Sequence, residues 1–378
     1  MVNEQNFSRL EQLVFSILQE QDGCSGIHLL DEGLSAFAAR YMKITTAEKT
    51  LDVQYYIWRN DISGGLLFEA LWSAANRGVQ IRLLLDDNNT VGMDNRLLEL
   101  NAHPAITVRL FNPFRFRRFR IVNYLTDFSR LNRRMHNKSL TADRAVTIVG
   151  GRNVGDEYFG TGTEPLFYDV DVMAVGRVVA EVTEAFEQYW QSASVFPLET
   201  ILQDKSFSSG SSEAGGREEN SAALVYSYVK KIDSCEIISQ LEKRTFKFIR
   251  AKTRLLCDDP RKGLGQGCRT ALLSERLKEA IGTPVKQLDL FSAYFVPTRT
   301  GVSQLISLAR QGVKIDILTN SLAANDVSIV HAGYAKWRKK LLRHGIRLHE
   351  LKPWSEMPAP THDRGLTGHS GSSLHAKT

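Results

Sequence analysis

Hydrophobic and polar positions along the chain alternate between two periods. Asp52–Ile57, Gln80–Leu85, Ala145–Val149 and Val170–Val175 are short, apolar and rich in β-formers, which predicts strands. Val179, Val182, Phe186 and Tyr189 recur at three- and four-residue steps, which predicts an amphipathic helix over Arg177–Trp190. Farther on, Gln287–Val296 and Lys314–Leu318 read as strands again. Strands and helices alternating in this way predict an α/β fold with a mixed or mostly parallel sheet.

The pattern occurs twice. A helical stretch over Gly65–Asn76 leads through Arg77-Gly78 into the strand at Gln80, and another over Gly301–Arg310 leads through Gln311-Gly312 into the strand at Lys314. His136 follows Gly78 by 58 positions, and His375 follows Gly312 by 63. Each histidine opens an H-x-K triplet, His136-Asn137-Lys138 and His375-Ala376-Lys377. Markers recurring at nearly constant offset predict an internal duplication. The expected organisation is an N-terminal extension over 1–25, a first unit over 26–203, a linker or surface insert over 204–220, and a second unit over 221–378. The 204–220 stretch is set apart by its Ser, Gly and charged residues.

The first copy of the motif continues to Asp143 and then to Gly150-Gly151-Arg152-Asn153. The second copy meets Thr378 two residues after Ala376. By repeat logic the second unit is expected to be truncated, with exposed strand edges and low activity by itself.

Residues i and i+2 of a strand share a face, so His136 and Lys138 are expected on one wall of a pocket. An imidazole can attack phosphorus, and an ammonium beside it can hold the non-bridging oxygens. Lys377 would act as Lys138 does, with Asn153 as a neutral donor. Two histidines would divide the work, one attacking and one protonating the leaving alcohol, then exchange roles. Such chemistry requires no metal and no cofactor, and the sequence alone does not order the two histidines. Asp143 lies seven residues beyond His136, an odd offset that points it to the other face. It is therefore expected to be structural, as are Gly150 and Gly151.

With these motifs the chain resembles the phospholipase D superfamily, defined by paired H-x-K-x4-D segments, and within it bacterial cardiolipin synthases of the C type. Tyr55-Tyr56-Ile57-Trp58-Arg59-Asn60-Asp61, Arg133-Arg134-Met135-His136-Asn137-Lys138 and the block Gly150–Phe159 carry the resemblance. So do Tyr294-Phe295-Val296-Pro297 and the run from Thr319 to Asp326. It implies two duplicated αβ units with mixed sheets packed face to face, His136 as the nucleophile and His375 as the general acid. It also implies an acidic residue that fixes the tautomer of His136: Asp169, with Asp171 as the alternative.

The net charge of +6 conceals an uneven distribution. Phe111–Lys138 holds seven arginines and Lys138 against Asp127, a local excess of +7, while the remainder sums to −1. Within it, Arg115, Phe116, Arg117, Arg118, Phe119 and Arg120 interleave cations with rings, which suits an anionic membrane surface. Nucleic-acid phosphates would suit it chemically too, but no nucleic-acid partner is expected because the segment leads into the motif of a lipid-type relative. Asp86 and Asp87 read as a strand end and a solvated turn. No run of about 18 apolar residues predicts a transmembrane helix. Met1–Gln21 lacks a basic start and does not read as a signal peptide. Cys24, Cys235, Cys257 and Cys268 are scattered, as expected of thiols in a reducing cytoplasm.

The expectation is a phosphatidyltransferase, cytoplasmic and peripheral on the inner face of the bacterial membrane. It would transfer a phosphatidyl group from phosphatidylglycerol or phosphatidylethanolamine to phosphatidylglycerol. The rivals are a hydrolase acting on lipid or nucleic acid, and a non-catalytic membrane-binding fragment. A homodimer offering two copies of His136 is the alternative source of a histidine pair, and the sequence specifies no helper protein.

Overall fold

The structure is a computed structural model that describes residues 7–17, 23–115, 117, 120–161, 167–202, 218–236, 239–240, 246–266, 273–325, 328–352 and 373–376. The chain forms two units, Met1–Thr161 with Asp171–Arg276, and Gly162–Val170 with Leu277–Thr378.

The first unit is built on a nine-stranded sheet ordered β10-β1-β8-β6-β5-β2-β3-β4-β9. In chain order the strands are β1 (Ser25–Leu30), β2 (Thr50–Tyr55), β3 (Gln80–Asp86), β4 (Ile106–Phe111), β5 (Ser139–Ala142) and β6 (Val146–Gly150). After β7 (Phe167–Tyr168), which belongs to the second unit, come β8 (Asp171–Gly176), β9 (Val195–Pro197) and β10 (Ile249–Ala251). Only β2–β3 and β3–β4 pair in parallel; the other six pairings are antiparallel. The sheet is thus mixed, and predominantly antiparallel.

Both faces of this sheet are covered, and β2 shows how. Leu51, Val53 and Tyr55 point one way and Asp52 and Gln54 the other, and all five are buried. The helices Gly33–Thr46 and Ile62–Asn76 contribute Phe37, Leu67, Phe68 and Leu71 to the core. The helix Arg177–Trp190 has the bounds predicted from its periodicity and buries Val178, Val179, Val182, Phe186, Tyr189 and Trp190. Phe186, Tyr189 and Trp190 pack with Leu84, Phe111 and Met135 in one cluster, each side chain worth about 1.5–3 kcal/mol when fully buried.

The second unit carries a parallel sheet, β11 (Gln287–Phe291), β12 (Lys314–Asn320) and β13 (Arg347–Leu351), ordered β11-β12-β13. The helices Arg299–Arg310 and Ser328–Arg343 connect these strands, and Val302, Ile306, Val313, Ile315, Ile317, Leu341 and Ile346 form its core. A two-stranded parallel pair joins β7 to β14 (Ser373–Leu374).

The duplication is visible in detail. Each unit contains a β-α-β-α-β run, β2-β3-β4 and β11-β12-β13, with all neighbours parallel. Asp61 caps one first helix by accepting from Gly64 N, and Thr298 caps the other by accepting from Gly301 N. Both helices end on a left-handed glycine, Gly78 at φ +95 and Gly312 at φ +88. The same pair of closing bonds follows, Gly78 N to Ala75 O with Val79 N to Ala74 O, and Gly312 N to Ala309 O with Val313 N to Leu308 O.

The expected domain limits shift in two places. Residues 218–276 lie with the first unit, because β10 adds an edge strand to β1 and Tyr228 of the helix Glu218–Asp233 packs on Phe37. Residues 162–170 lie with the second unit, because β7 pairs with β14. The expected insert at 204–220 falls outside the described residues up to position 217; Glu218–Asn220 begin a helix.

Candidate active site

His136 stands just before β5, which pairs antiparallel with β2. Strand periodicity carries Asp52, Gln54 and then Tyr56 onto one face. Gln54 Nε2 donates to Met135 Sδ at 3.0 Å, and the Tyr56 ring stacks on the His136 imidazole at 3.9 Å and 24°. Lys138 Nζ donates to the His136 carbonyl at 2.6 Å and stands 5.6 Å from the Tyr56 ring centre. Lys138 is buried while His136 is exposed. One wall therefore presents an accessible imidazole beside a shielded ammonium.

The approach to His136 is held by Asp86, at the end of β3. Its carboxylate accepts from Met135 N at 2.9 Å, from Asn88 N at 2.9 Å and from Arg134 Nη1 at 3.3 Å. Burial pushes the Asp86 carboxyl up to about 7, against the opposing pull of Arg134. Asp87 is also fully buried. The expectation of a solvated turn at Asp86 and Asp87 is corrected: both carboxylates are internal anchors.

The glycine-rich block after β6 is set by a buried ionic cluster that the sequence reading did not identify. Asp171 Oδ2 accepts from Arg40 Nη2 at 2.9 Å and from Arg152 Nη1 at 3.4 Å, while its Oδ1 accepts from Arg152 N at 3.1 Å. Arg152 also donates to the Leu30 carbonyl at 2.7 Å. Gly150 pairs with Asp171 so closely that a Cβ would stand 1.9 Å from Asp171 Oδ1, which explains the glycine; Gly151 forms the following bend. The signal for this cluster was present as an arginine inside an apolar helical stretch, but nothing along the chain joins Arg40 to Asp171.

Asn153 is 1% exposed. Its Oδ1 accepts from Ile57 N at 3.1 Å and its Nδ2 donates to Tyr158 Oη at 2.9 Å. These bonds make Asn153 a brace behind Tyr56-Ile57. Asp143 sits at φ +51 and accepts from the backbone N of Glu48, Lys49 and Thr50, fixing the start of β2.

In the second unit, His375 follows β14. Its Nδ1 and Asp169 Oδ2 are 2.5 Å apart, a contact in which Nδ1–H donates and the carboxylate accepts. Asp169 Oδ1 accepts from Val170 N at 2.8 Å. The Asn320 side chain holds β14 along one edge, with Nδ2 donating to Leu374 O at 2.8 Å and Oδ1 accepting from Leu374 N at 2.9 Å. The expected pairing of Asp169 with His136 is corrected, since its partner is the histidine of the second motif. The alternative, Asp171, serves Arg40 and Arg152. Lys377 lies outside the described residues.

Among the described residues of the basic segment, Arg117, Arg130 and Arg134 turn inward. Arg117 is 10% exposed, with its guanidinium between Asp87 and Asp94. Arg130 reaches Asn112, Asp127 and the Pro113 carbonyl, and Arg134 reaches Asp86 and the Asn112 carbonyl. Arg117 is therefore withdrawn from the expected membrane-facing set. Arg115 is exposed, the Arg120 backbone opens the helix Arg120–Leu131, and Phe116, Arg118 and Phe119 lie outside the described residues. That helix instead exposes apolar side chains: Val122, Leu125 at 83% and Phe128 at 62%. Among the described residues no helix is long and apolar enough to cross a membrane.

The family description "Cardiolipin synthase, PLD-like domain" matches residues 41–190 and 276–378. Cardiolipin synthase C of Escherichia coli strain K12 is 55% identical over 375 residues, spanning 98% of this chain and 78% of that protein. An uncharacterized protein of Helicobacter pylori strain 26695 is 30% identical, over 89% of this chain and 67% of its own length. Among solved structures, phosphatidylserine synthase of Haemophilus influenzae shares the fold, with a TM-score of 0.58 at 13% identity over 97% of this chain and 79% of that one. In the second unit the match to the family description runs from residue 276 through residue 378, and the chain spans 78% of the length of the Escherichia coli relative. The paired motifs, the duplicated β-α-β-α-β frame and a relative more than half identical over almost the whole chain place this protein in the cardiolipin synthase family of phospholipase D-like proteins.

Proposed function

We propose that this chain transfers a phosphatidyl group between alcohols through a phosphohistidine. The observation that carries the reading is the pair of dissimilar histidine settings: His136, exposed beside Lys138, and His375, locked by Asp169. One ring nitrogen of His136 attacks phosphorus in the donor phospholipid, and the bond to the head-group oxygen breaks. Protonated His375 gives its proton to that oxygen, its cationic form being stabilised by Asp169. Neutral His375 then takes the proton of the acceptor hydroxyl, whose oxygen attacks phosphorus and releases His136. Lys138 offsets charge on the non-bridging oxygens. With phosphatidylglycerol as acceptor, and phosphatidylglycerol or phosphatidylethanolamine as donor, the product is cardiolipin. The protein works peripherally on the inner face of the membrane; the exposed Val122, Leu125 and Phe128 support that placement.

The test is lipid mass spectrometry on vesicles of phosphatidylglycerol and phosphatidylethanolamine, with His136→Ala alongside. Cardiolipin from the wild type and none from the variant is the expected result. Phosphatidic acid in place of cardiolipin would make the protein a hydrolase, and equal product from the variant would remove His136 from the mechanism.

A further inference from the structure

Tyr56 stands where strand geometry, burial and the reacting group meet. The last residue of β2, Tyr55, points into the core, where its hydroxyl accepts from Arg40 Nε at 2.9 Å. Tyr56 therefore turns to the opposite face. Its main chain is held on both sides, by Asn89 Nδ2 donating to its carbonyl at 3.2 Å and by Asn153 Oδ1 accepting from Ile57 N at 3.1 Å. Its phenol is half-buried beside the side chains of Asn88 and Asn89, and burial raises its pKa, so the ring stays neutral. The face of this anchored ring is what His136 stacks on, and the same ring lies under Lys138 Nζ.

We infer that Tyr56 is the positioning residue for the attacking imidazole, a platform that fixes the ring plane of His136 and its spacing from Lys138. The inference rests on the transfer chemistry proposed above. An exposed histidine has a broad, nearly two-fold χ2 preference, and attack on phosphorus needs one orientation. Stacking supplies it. The platform also favours the reaction electronically. Forming the P–N bond converts neutral imidazole into a cationic phosphoimidazolium, and an aromatic face attracts a cation more than a neutral ring. The contact therefore strengthens towards the transition state, so its loss falls on kcat and not on KM.

The test compares Tyr56→Leu and Tyr56→Phe with wild type on the same vesicles, scoring cardiolipin and phosphatidic acid together. Leucine is expected to lower kcat by roughly tenfold or more with KM nearly unchanged. Phenylalanine keeps the face and is expected to restore kcat to near the wild-type value. A second readout needs no substrate: ¹³C-histidine NMR, in which the ring-current shift of the His136 resonance should persist in Tyr56→Phe and vanish in Tyr56→Leu. An unchanged kcat in Tyr56→Leu, a phenylalanine variant as slow as the leucine one, or a ring-current shift that survives leucine would each overturn the inference. A wild type that forms neither product would defeat the proposed reaction, while the NMR comparison would still decide whether the platform exists.

Discussion

Asp169 and His375 are separated by 206 positions in sequence and by 2.5 Å between Oδ2 and Nδ1. The carboxylate is almost wholly buried, the imidazole is nearly so at 11% exposed, and the pair stands where β7 meets β14. A buried carboxylate holding Nδ1–H sets the tautomer and stabilises the imidazolium that proton transfer requires. Asp169→Asn is expected to lower turnover by roughly 10- to 100-fold, with little change in melting temperature. ¹⁵N NMR of the imidazole should show the Nδ1 proton losing its strongly hydrogen-bonded shift. Unimpaired turnover would exclude Asp169 from the proton-transfer step.

Gly150 and Asp171 give a stability test. A methyl group at position 150 meets Asp171 Oδ1 at 1.9 Å, and Asp171 cannot move without releasing Arg40 and Arg152. Gly150→Ala is expected to cost about 1–3 kcal/mol in urea unfolding. Arg40→Met is expected to cost more, about 3–5 kcal/mol, because it removes the nearer of the two cations that offset the buried Asp171. Values near zero would show that the cluster relaxes freely.

Asp86 links the approach to His136 to pH. Its folded-state pKa is raised to about 7, whereas an unfolded aspartate titrates near ~3.9. The folded state therefore binds this proton more tightly. The stabilisation it provides is fully present below about pH 4 and is lost as pH rises towards 7. Asp86→Asn removes that dependence. The stability of wild type minus that of Asp86→Asn should fall as pH rises from about 4 to 7 and level off above. A difference that is flat with pH would contradict the raised value.

The helix Arg120–Leu131 and Arg117 separate membrane contact from internal bracing. Replacing Val122, Leu125 and Phe128 together by serine should weaken sedimentation with anionic vesicles by roughly tenfold or more, since a large apolar side chain is worth about 1.5–3 kcal/mol when buried. Hydrolysis or transfer on soluble short-chain phospholipids should persist. Arg117→Met should instead lower the melting temperature, because it removes a cation paired with the buried Asp87. Full vesicle binding by the triple variant would place the membrane contact elsewhere.

Much of this was legible along the chain. Both H-x-K triplets, the repeat with its two helix-ending glycines and the helix Arg177–Trp190 depend on local sequence, and the structure reproduces that helix residue for residue. The strand predicted at Asp52–Ile57 forms over Thr50–Tyr55 instead, because Asp143 folds back and fixes the backbone from Glu48 onwards. Asp143, expected from its spacing to be structural, accepts from the backbone at the start of β2. The basic run misled, since charge in sequence does not show which arginine finds a buried acid, and Arg117 finds Asp87 and Asp94.

What the sequence determined is everything carried by short-range pattern: the alternation of strand and helix, their duplication, and the presence of phosphodiester chemistry in the two motifs. Tertiary structure decided the pairings. Which histidine Asp169 serves, why Arg40 lies beneath the glycine block, and that Tyr56 rather than Tyr55 faces His136 all depend on contacts between distant segments. Partner choice there is set by strand register and by the need of each buried charge for an opposite one. Neither leaves a mark at any fixed spacing in the chain.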